Sequence, residues 1–321
     1  MTLAHISSPA RTILFPGAVY RRVPAALQWP PGQPGYLRSR QGMDEFAGKV
    51  AVITGAGSGI GRGLATRCAQ EGMRVALADI QESRLAALCE SLQEQGASVM
   101  TQALDVADAA AVDAFARRCR DELGVPDLLF NNAGILRLGE TWSHPAQDWQ
   151  AIMSVNLMGV VNGVNAFLPA MLEAQKPAHI VNTGSVGSLV AAPGMAQYTA
   201  AKMAVRGVTE CLAYDLAARE AAIDVSLLCP GPVLTAISND LLGIDPEEAE
   251  PDPGEHLMAG QPDFITPEEC AERVFQAVRE RRFWIFTHPF NDYLERKMRA
   301  IVQGEYPQYS EVVFDANLDA G

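Results

Sequence analysis

The apolar run from Lys49 to Thr54 (KVAVIT) passes without a linker into TGAGSGIG, Thr54 to Gly61, and from there into a segment of helical period. A strand that turns so abruptly into a helix needs backbone free of side chains. Gly55 allows the tight turn, Gly59 leaves room for a pyrophosphate at the backbone, and Gly61 lets helix and sheet pack closely. Ser58 and Ile60 complete the loop, and the N–H groups at the helix start are set to face an anion.

The same alternation continues. Short β-branched or apolar runs follow at Arg74 to Asp79, Ser98 to Leu104, Asp127 to Asn132, His179 to Gly184, Asp224 to Cys229 and Phe283 to Thr287. Between them lie helical patterns near Ile60 to Glu71, Glu82 to Gln95, Ala109 to Leu123, Gln147 to Gln175, Gln197 to Arg219 and Pro267 to Arg281. Strands of this length, apolar on both faces, belong to a parallel sheet covered on each side. The expected fold is therefore α/β: one doubly wound domain, with a seven-stranded, mainly parallel sheet and helices on both faces, over residues 44–288. With 321 residues, 48% of them hydrophobic, the chain can bury such a core.

The flanks differ in kind. Residues 1–43 hold five arginines, no acid and six prolines, so they read as a poorly ordered arm; a translation start at Met43 is the other reading. Residues 238–264 are acidic and Pro-rich, a lid-like insertion or a solvated loop, and residues 289–321 read as a helix followed by a tail. A net charge of −13 without a basic patch argues against nucleic acid as a partner. Apolar stretches broken by charge, Gly or Pro argue against a membrane span. The six cysteines show no CxxC pair, which suggests buried free thiols in a cytoplasmic protein, and no His/Cys spacing suggests a metal.

Asp79 ends the second strand 24 residues beyond Gly55, where a dinucleotide fold places the acid that bonds the ribose hydroxyls. The expected cofactor is NAD. NADP is less favoured, because Ser58, Ile80 and Gln81 offer no cation for its extra phosphate; the plainer reading makes Asp79 a helix cap. Asp105 and Val106, after the third strand, are candidates for the adenine edge, or turn residues.

Tyr198 and Lys202 in YTAAK stand four apart, on one face of a helix. An ammonium near a phenol favours the phenolate, which could then take a proton from an alcohol. Ser185 lies thirteen residues earlier at the end of a strand, where its hydroxyl could hold the same substrate oxygen. Asn156 in SVNLMGV completes the set.

TGAGSGIG, NNAG (Asn131 to Gly134), Asn156, Ser185, YTAAK and LCPGPVLT (Leu228 to Thr235) follow in an order and spacing that resemble the short-chain dehydrogenase/reductase family, over roughly Phe46 to Thr287. The resemblance implies a Rossmann fold and an NAD(P)-dependent alcohol dehydrogenase or ketone reductase. It implies Tyr198 as general acid/base, Ser185 as holder of the substrate oxygen and Lys202 as the group that lowers the phenol pKa and binds the nicotinamide ribose. Asn156 would hold a proton-relaying water. Thr54, Asn132, Ala133 and Gly134 would support the cofactor, and Pro230, Gly231, Val233 and Thr235 would contact its nicotinamide side. Homo-oligomers, dimers or tetramers paired through the two long helices, are implied as well.

Leu136, Leu138, Val186, Leu189, Val190, Ala192 and Met195, with Leu241, Leu242 and Met258 from the lid, suggest a hydrophobic, uncharged secondary alcohol, with no arginine to clamp an anionic group. Two other classes use the same fold: an NAD-binding sensor without catalysis, and a dehydratase or epimerase built on the same tyrosine.

Overall fold

A computed structural model describes residues 43–238 and 264–309. The amino-terminal arm, all but the ends of the lid, and the last part of the tail lie outside the described residues.

Seven strands form one sheet: β1 Val50–Thr54, β2 Arg74–Asp79, β3 Val99–Ala103, β4 Leu128–Asn131, β5 Ala178–Thr183, β6 Ile223–Cys229 and β7 Trp284–Phe286. Their order is β3-β2-β1-β4-β5-β6-β7. Every neighbouring pair is parallel, so the sheet is parallel throughout rather than mainly so. The helices are α1 Gly59–Gln70, α2 Glu82–Glu94, α3 Ala109–Glu122, α4 Ala146–Met153, α5 Gly159–Ala174, α6 Ala196–Ala218, α7 Pro267–Arg279 and α8 Asn291–Gln303.

The period of two in each strand sends alternate side chains into two separate cores. Ala51 and Ile53 of β1 join Leu64 of α1, Leu85 and Leu88 of α2 and Phe275 of α7 on one face. Val50 and Val52 join Phe115 of α3, Phe167 and Met171 of α5 and Leu212 of α6 on the other. Phe275 anchors the first core, its ring edge-on to Phe46 at 5.0 Å and stacked on Phe130 at 6.4 Å. Local signals agree with these packing choices. Asp108 caps α3 through the N–H groups of Ala110 and Ala111, and Thr266 and Glu269 form a capping box at α7 with Pro267 in its first turn.

The long helix expected from Gln147 to Gln175 departs from its expected form. α4 and α5 are joined by a π-helical turn, Ser154–Met158, so the stretch is continuous but not uniform. Residues 146–174 are long and apolar enough, by length and composition alone, to cross a membrane; Gly159, Gly163 and Pro169 do not interrupt them. Here α5 packs on α3 and β4, inside the helical layer.

All six cysteines are free. Cys68, Cys119, Cys229 and Cys270 are buried as expected, whereas Cys89 is half-buried and Cys211 is exposed, so the burial expectation fails for those two.

Because β1 leads outward to β2 and β3 while β4 returns to its other side, the chain reverses direction between β1 and β4. The carboxyl ends of the strands open a crevice at that point.

Candidate active site

The crevice is a cleft of about 390 Å³. The residues expected from sequence to act in catalysis or to bind the cofactor line it, except Thr54, Gly61 and Asn156.

At the glycine loop the geometry is tight. Gly55 has φ +64°, and a β-carbon there would sit 2.7 Å from Ala133 Cα. A β-carbon on Gly61 would meet the Gly55 carbonyl oxygen at 1.9 Å, so Gly61 serves the closeness of the loop to the first helical turn as much as helix–sheet packing. Ser58 precedes α1 in extended conformation and its side chain makes no capping bond, so the hydroxyl leaves the helix start to a ligand. Thr54 Oγ1 accepts the N–H groups of Asn132 (2.9 Å) and Ala133 (3.2 Å), and Asn132 Nδ2 donates to the Thr54 carbonyl at 3.2 Å. These bonds lock β1 to the NNAG turn across the switch point.

Asp79 is no helix cap: the N-cap of α2 is Gln81. Its Oδ2 accepts the Gly57 N–H at 2.8 Å and its Oδ1 accepts the Gln81 N–H at 2.9 Å, which aims the carboxylate into the cleft with lone pairs to spare. Asp105 is exposed at the rim and accepts the Ala107 N–H at 2.8 Å, so the turn role holds while it also borders the cleft with Val106.

A chain of hydrogen bonds builds the deep end. Ser185 lies two residues beyond β5 in extended backbone and caps a short 3-10 turn, Val186–Ser188, its Oγ accepting the Gly187 N–H at 3.1 Å. The Ser185 N–H donates to Ser188 Oγ at 3.2 Å, and Ser188 Oγ donates to the Lys202 carbonyl at 2.9 Å. The strand end and α6 are thereby held in one frame. Ser185 and Tyr198 share a side-chain hydrogen bond. Lys202 Nζ lies 5.6 Å from the centre of the Tyr198 ring and donates to the Thr183 carbonyl at 2.8 Å.

Asn156 sits in the π turn, fully buried. Its Oδ1 accepts the Ile135 N–H at 2.8 Å and its Nδ2 donates to the Ile135 carbonyl at 2.9 Å. A β-carbon on Gly134 would lie 3.4 Å from Asn156 Oδ1 and 3.5 Å from Lys202 Nζ, so both groups converge on Gly134.

The electrostatics differ from the sequence expectation. Burial is the largest influence on Tyr198 and raises its pKa; the Ser185 hydrogen bond lowers it, and the nearby ammonium is not among the leading causes. Lys202 is brought down to about 8, again chiefly by burial, with Cys229 acting the other way. Taking both groups out of water outweighs their mutual influence.

Pro230, Gly231, Val233 and Thr235 form the far wall. The Pro230 carbonyl accepts the Val186 N–H at 3.1 Å, and the Gly231 N–H donates to Thr287 Oγ1 at 3.0 Å, which pins this stretch between β5 and the end of β7.

Sequence reasoning missed Gly57 and Arg84, which bracket Asp79, and Gly184 in the cleft wall, where a β-carbon would meet Ser188 Oγ at 2.6 Å. A glycine at 57 within TGAGSGIG was the available signal for the first; Arg84 carried none in its neighbours. Of the expected substrate-pocket residues, Leu136 lines the cleft. Leu138, Val186, Val190, Ala192 and Met195 do not, Val190 being buried and the others half-buried away from the cleft, and Leu189 packs on the Val160 and Leu227 cluster. Leu241, Leu242 and Met258 lie outside the described residues.

A cradle built of glycines whose β-carbons would collide, an uncapped helix start and an aimed carboxylate fits a dinucleotide. Comparison with known proteins agrees. The short chain dehydrogenase family profile matches residues 49–242. A dehydrogenase/reductase of CLA biosynthesis from Lactiplantibacillus plantarum is 35% identical over 277 residues, which is 83% of this chain and 97% of that protein. A 1-deoxy-11-beta-hydroxypentalenate dehydrogenase from Streptomyces avermitilis is 36% identical over 241 residues, 74% of this chain and 84% of its own length. The crystal structure of a short chain dehydrogenase/reductase from Burkholderia phymatum in complex with NAD superimposes with a TM-score of 0.76 at 38% identity, covering 84% of this chain and 99% of that one.

Proposed function

The chain belongs to the short-chain dehydrogenase/reductase family, and from that membership we propose that it oxidises a hydrophobic secondary alcohol to its ketone, or reduces the ketone, with NAD(H). The observation that carries this reading is the deep end of the cleft, where Tyr198, bonded to Ser185, faces the Lys202 ammonium.

Thr54, the glycine loop and Asp79 would hold the cofactor, and Lys202 would bind its nicotinamide ribose. Bound there, the nicotinamide supplies the hydride acceptor. Ser185 and Tyr198 hold the substrate oxygen between them. Tyr198, as phenolate, removes the hydroxyl proton as the carbinol carbon loses its hydride, and as phenol it returns that proton in reduction. Lys202 places positive charge beside the developing phenolate. Asn156 fixes Ile135 and the NNAG turn against Lys202, with a lone pair and one hydrogen left for a water that relays the proton outward.

An apolar substrate is supported by Leu136, Ile135, Val155 and Ile237 in the cleft wall. The Streptomyces relative, named for a hydroxypentalenate, and the Burkholderia structure holding NAD lend weight to alcohol chemistry and to the cofactor. Exposed Met158, Met203 and Tyr214 along the long helices support pairing of two copies there, and six free thiols support a cytoplasmic setting.

The test is absorbance at the NADH band with NAD across a library of secondary alcohols. Turnover concentrated among apolar cyclic or aromatic alcohols is the expected result. Preference for sugar phosphates or acyl-carrier substrates would overturn the substrate class, and absence of NADH formation with every alcohol would overturn the reaction.

A further inference from the structure

Thr287 and His288 follow β7 and are buried, and neither lines the cleft, yet both bear on it through one residue of its wall. Thr287 Oγ1 accepts the Gly231 N–H at 3.0 Å, and His288 Nδ1 lies 2.8 Å from the same hydroxyl. A hydroxyl that gives its one hydrogen to Nδ1 keeps a lone pair for the Gly231 N–H. The imidazole also fills the space behind the wall: the three atoms nearest to a β-carbon on Gly231 all belong to His288, with Nδ1 at 2.5 Å. Arg273 of α7 donates to the Thr287 carbonyl, so the pair is itself held from the side of the helix.

Gly231 stands at the reactive end of the cleft. Ser185 and Gly231 follow the neighbouring strands β5 and β6, and the Pro230 carbonyl accepts the Val186 N–H at 3.1 Å, whereas Asp79 ends β2, across β1 and β4. We propose that Thr287 and His288 are positioning residues: together they set where the Gly231 backbone stands, and so where the nicotinamide of a bound dinucleotide comes to rest beside Ser185 and Tyr198. The proposal rests on the reading that the cleft takes such a cofactor. The Gly231 N–H is engaged by Thr287 and is withheld from the ligand, so this part of the wall acts by its shape. Misplacing a reacting group by about 1 Å can cost on the order of 10²-fold in rate, which is why a wall of this kind needs a rigid backing. Contacts to the adenosine end, made on β1 and β2, do not depend on it.

The experiment is isothermal titration calorimetry with NAD+ and with ADP-ribose, which carries the adenosine and both phosphates but no nicotinamide, together with the emission of the reduced nicotinamide in bound NADH. The proteins are wild type, Thr287→Val, which keeps the shape and loses the hydroxyl, Thr287→Ser, which keeps the hydroxyl, His288→Leu, and His288→Asn, which keeps a polar partner for it. Each is first examined for folding by circular dichroism. Thr287→Val and His288→Leu are expected to weaken NAD+ binding about fivefold, the fold-change of one net hydrogen bond, and to move the emission of bound NADH toward that of free NADH. ADP-ribose affinity should stay within about twofold, well inside the worth of one hydrogen bond. Thr287→Ser and His288→Asn are expected to recover most of the lost NAD+ affinity. Equal loss of NAD+ and ADP-ribose affinity, unchanged NAD+ affinity with unchanged emission, or failure of both Thr287→Val and His288→Leu to fold would make the pair scaffold alone and overturn the proposal. A wild-type protein that binds neither NAD+ nor ADP-ribose would instead overturn the reading beneath it.

Discussion

Lys202 Nζ is shared between the Thr183 carbonyl, to which it donates at 2.8 Å, and the face of Tyr198, whose ring centre lies 5.6 Å away. One ammonium thus ties the end of β5 to the phenol. In the proposed reaction Tyr198 carries the proton and Lys202 sets the field around it.

Replacing the phenol separates catalysis from binding. Tyr198→Phe keeps the ring and loses the hydroxyl, so kcat should fall about 10²–10⁴-fold, with NAD affinity changed no more than a few-fold. Stopped-flow turnover beside calorimetry checks this, and an unchanged kcat would overturn Tyr198 as the general acid/base.

The pH dependence follows from burial. Alcohol oxidation requires Tyr198 deprotonated, and burial raises its pKa, so the oxidation rate should climb with pH through the alkaline range. Ketone reduction requires the protonated phenol and should decline over that range. Lys202, brought down to about 8, is charged below that pH and loses its charge above it, so Lys202→Met should flatten the upper part of both profiles. Rate profiles in both directions, for wild type and variant, are the measurement.

His179 is a test of stability rather than of activity. It is buried in β5, its Nε2 paired with Ser226 Oγ at 2.7 Å, and burial depresses its pKa to about 4. Unfolded, the imidazole binds a proton near pH 6.5, so between that pH and about 4 the unfolded state holds more protons and stability is lost as pH falls. The loss should approach about 3 kcal/mol once pH is below 4. Denaturant titrations from pH 7.5 to 4 should show it, and His179→Gln should reduce the slope.

Gly61 tests the loop. A methyl group there enters the space of the Gly55 carbonyl oxygen, so Gly61→Ala should destabilise the fold by about 1–3 kcal/mol and weaken NAD binding more than tenfold. The comparison with Gly96→Ala is instructive, since a β-carbon at Gly96 meets nothing within 4 Å. Strain at its positive φ would affect stability there without touching cofactor affinity.

Phe275 tests the fold. Its ring is buried against Phe46 and Phe130 on the α1 and α7 side of the sheet, so Phe275→Ala should cost about 3–5 kcal/mol in chemical denaturation.

What could be read from the sequence was what depends on periodicity and on residue type at a fixed spacing. Asp79 closes β2 at the expected residue, and the Tyr198–Lys202 pair shares a helix face because four residues make just over one turn. Interactions set by tertiary approach were not legible. Arg84 reaches the cleft only because Gly57 brings the loop against α2, and no local pattern announces that. The phenol's environment was misjudged for the same reason: spacing reveals a neighbouring cation, but the depth of water exclusion exists only once the domain has closed over it. The π turn was equally hidden, since Ser154–Met158 has ordinary helix-forming composition and the wide turn is coupled to the bonds that Asn156 makes with Ile135.

That wide turn makes the number of residues in the long helix matter as much as their identity. An ordinary helix rotates by about 100° per residue and the π turn Ser154–Met158 has already absorbed one extra position, so adding a further residue to this rod, or removing one outside the π turn, would swing α5 out of register with α4. Either the Ile135 contacts or the seat of Phe167 and Met171 beneath the sheet would then be forfeited. Point substitutions should therefore be survivable at several places along this rod, whereas single-codon gains within it, or losses outside the π turn, should not.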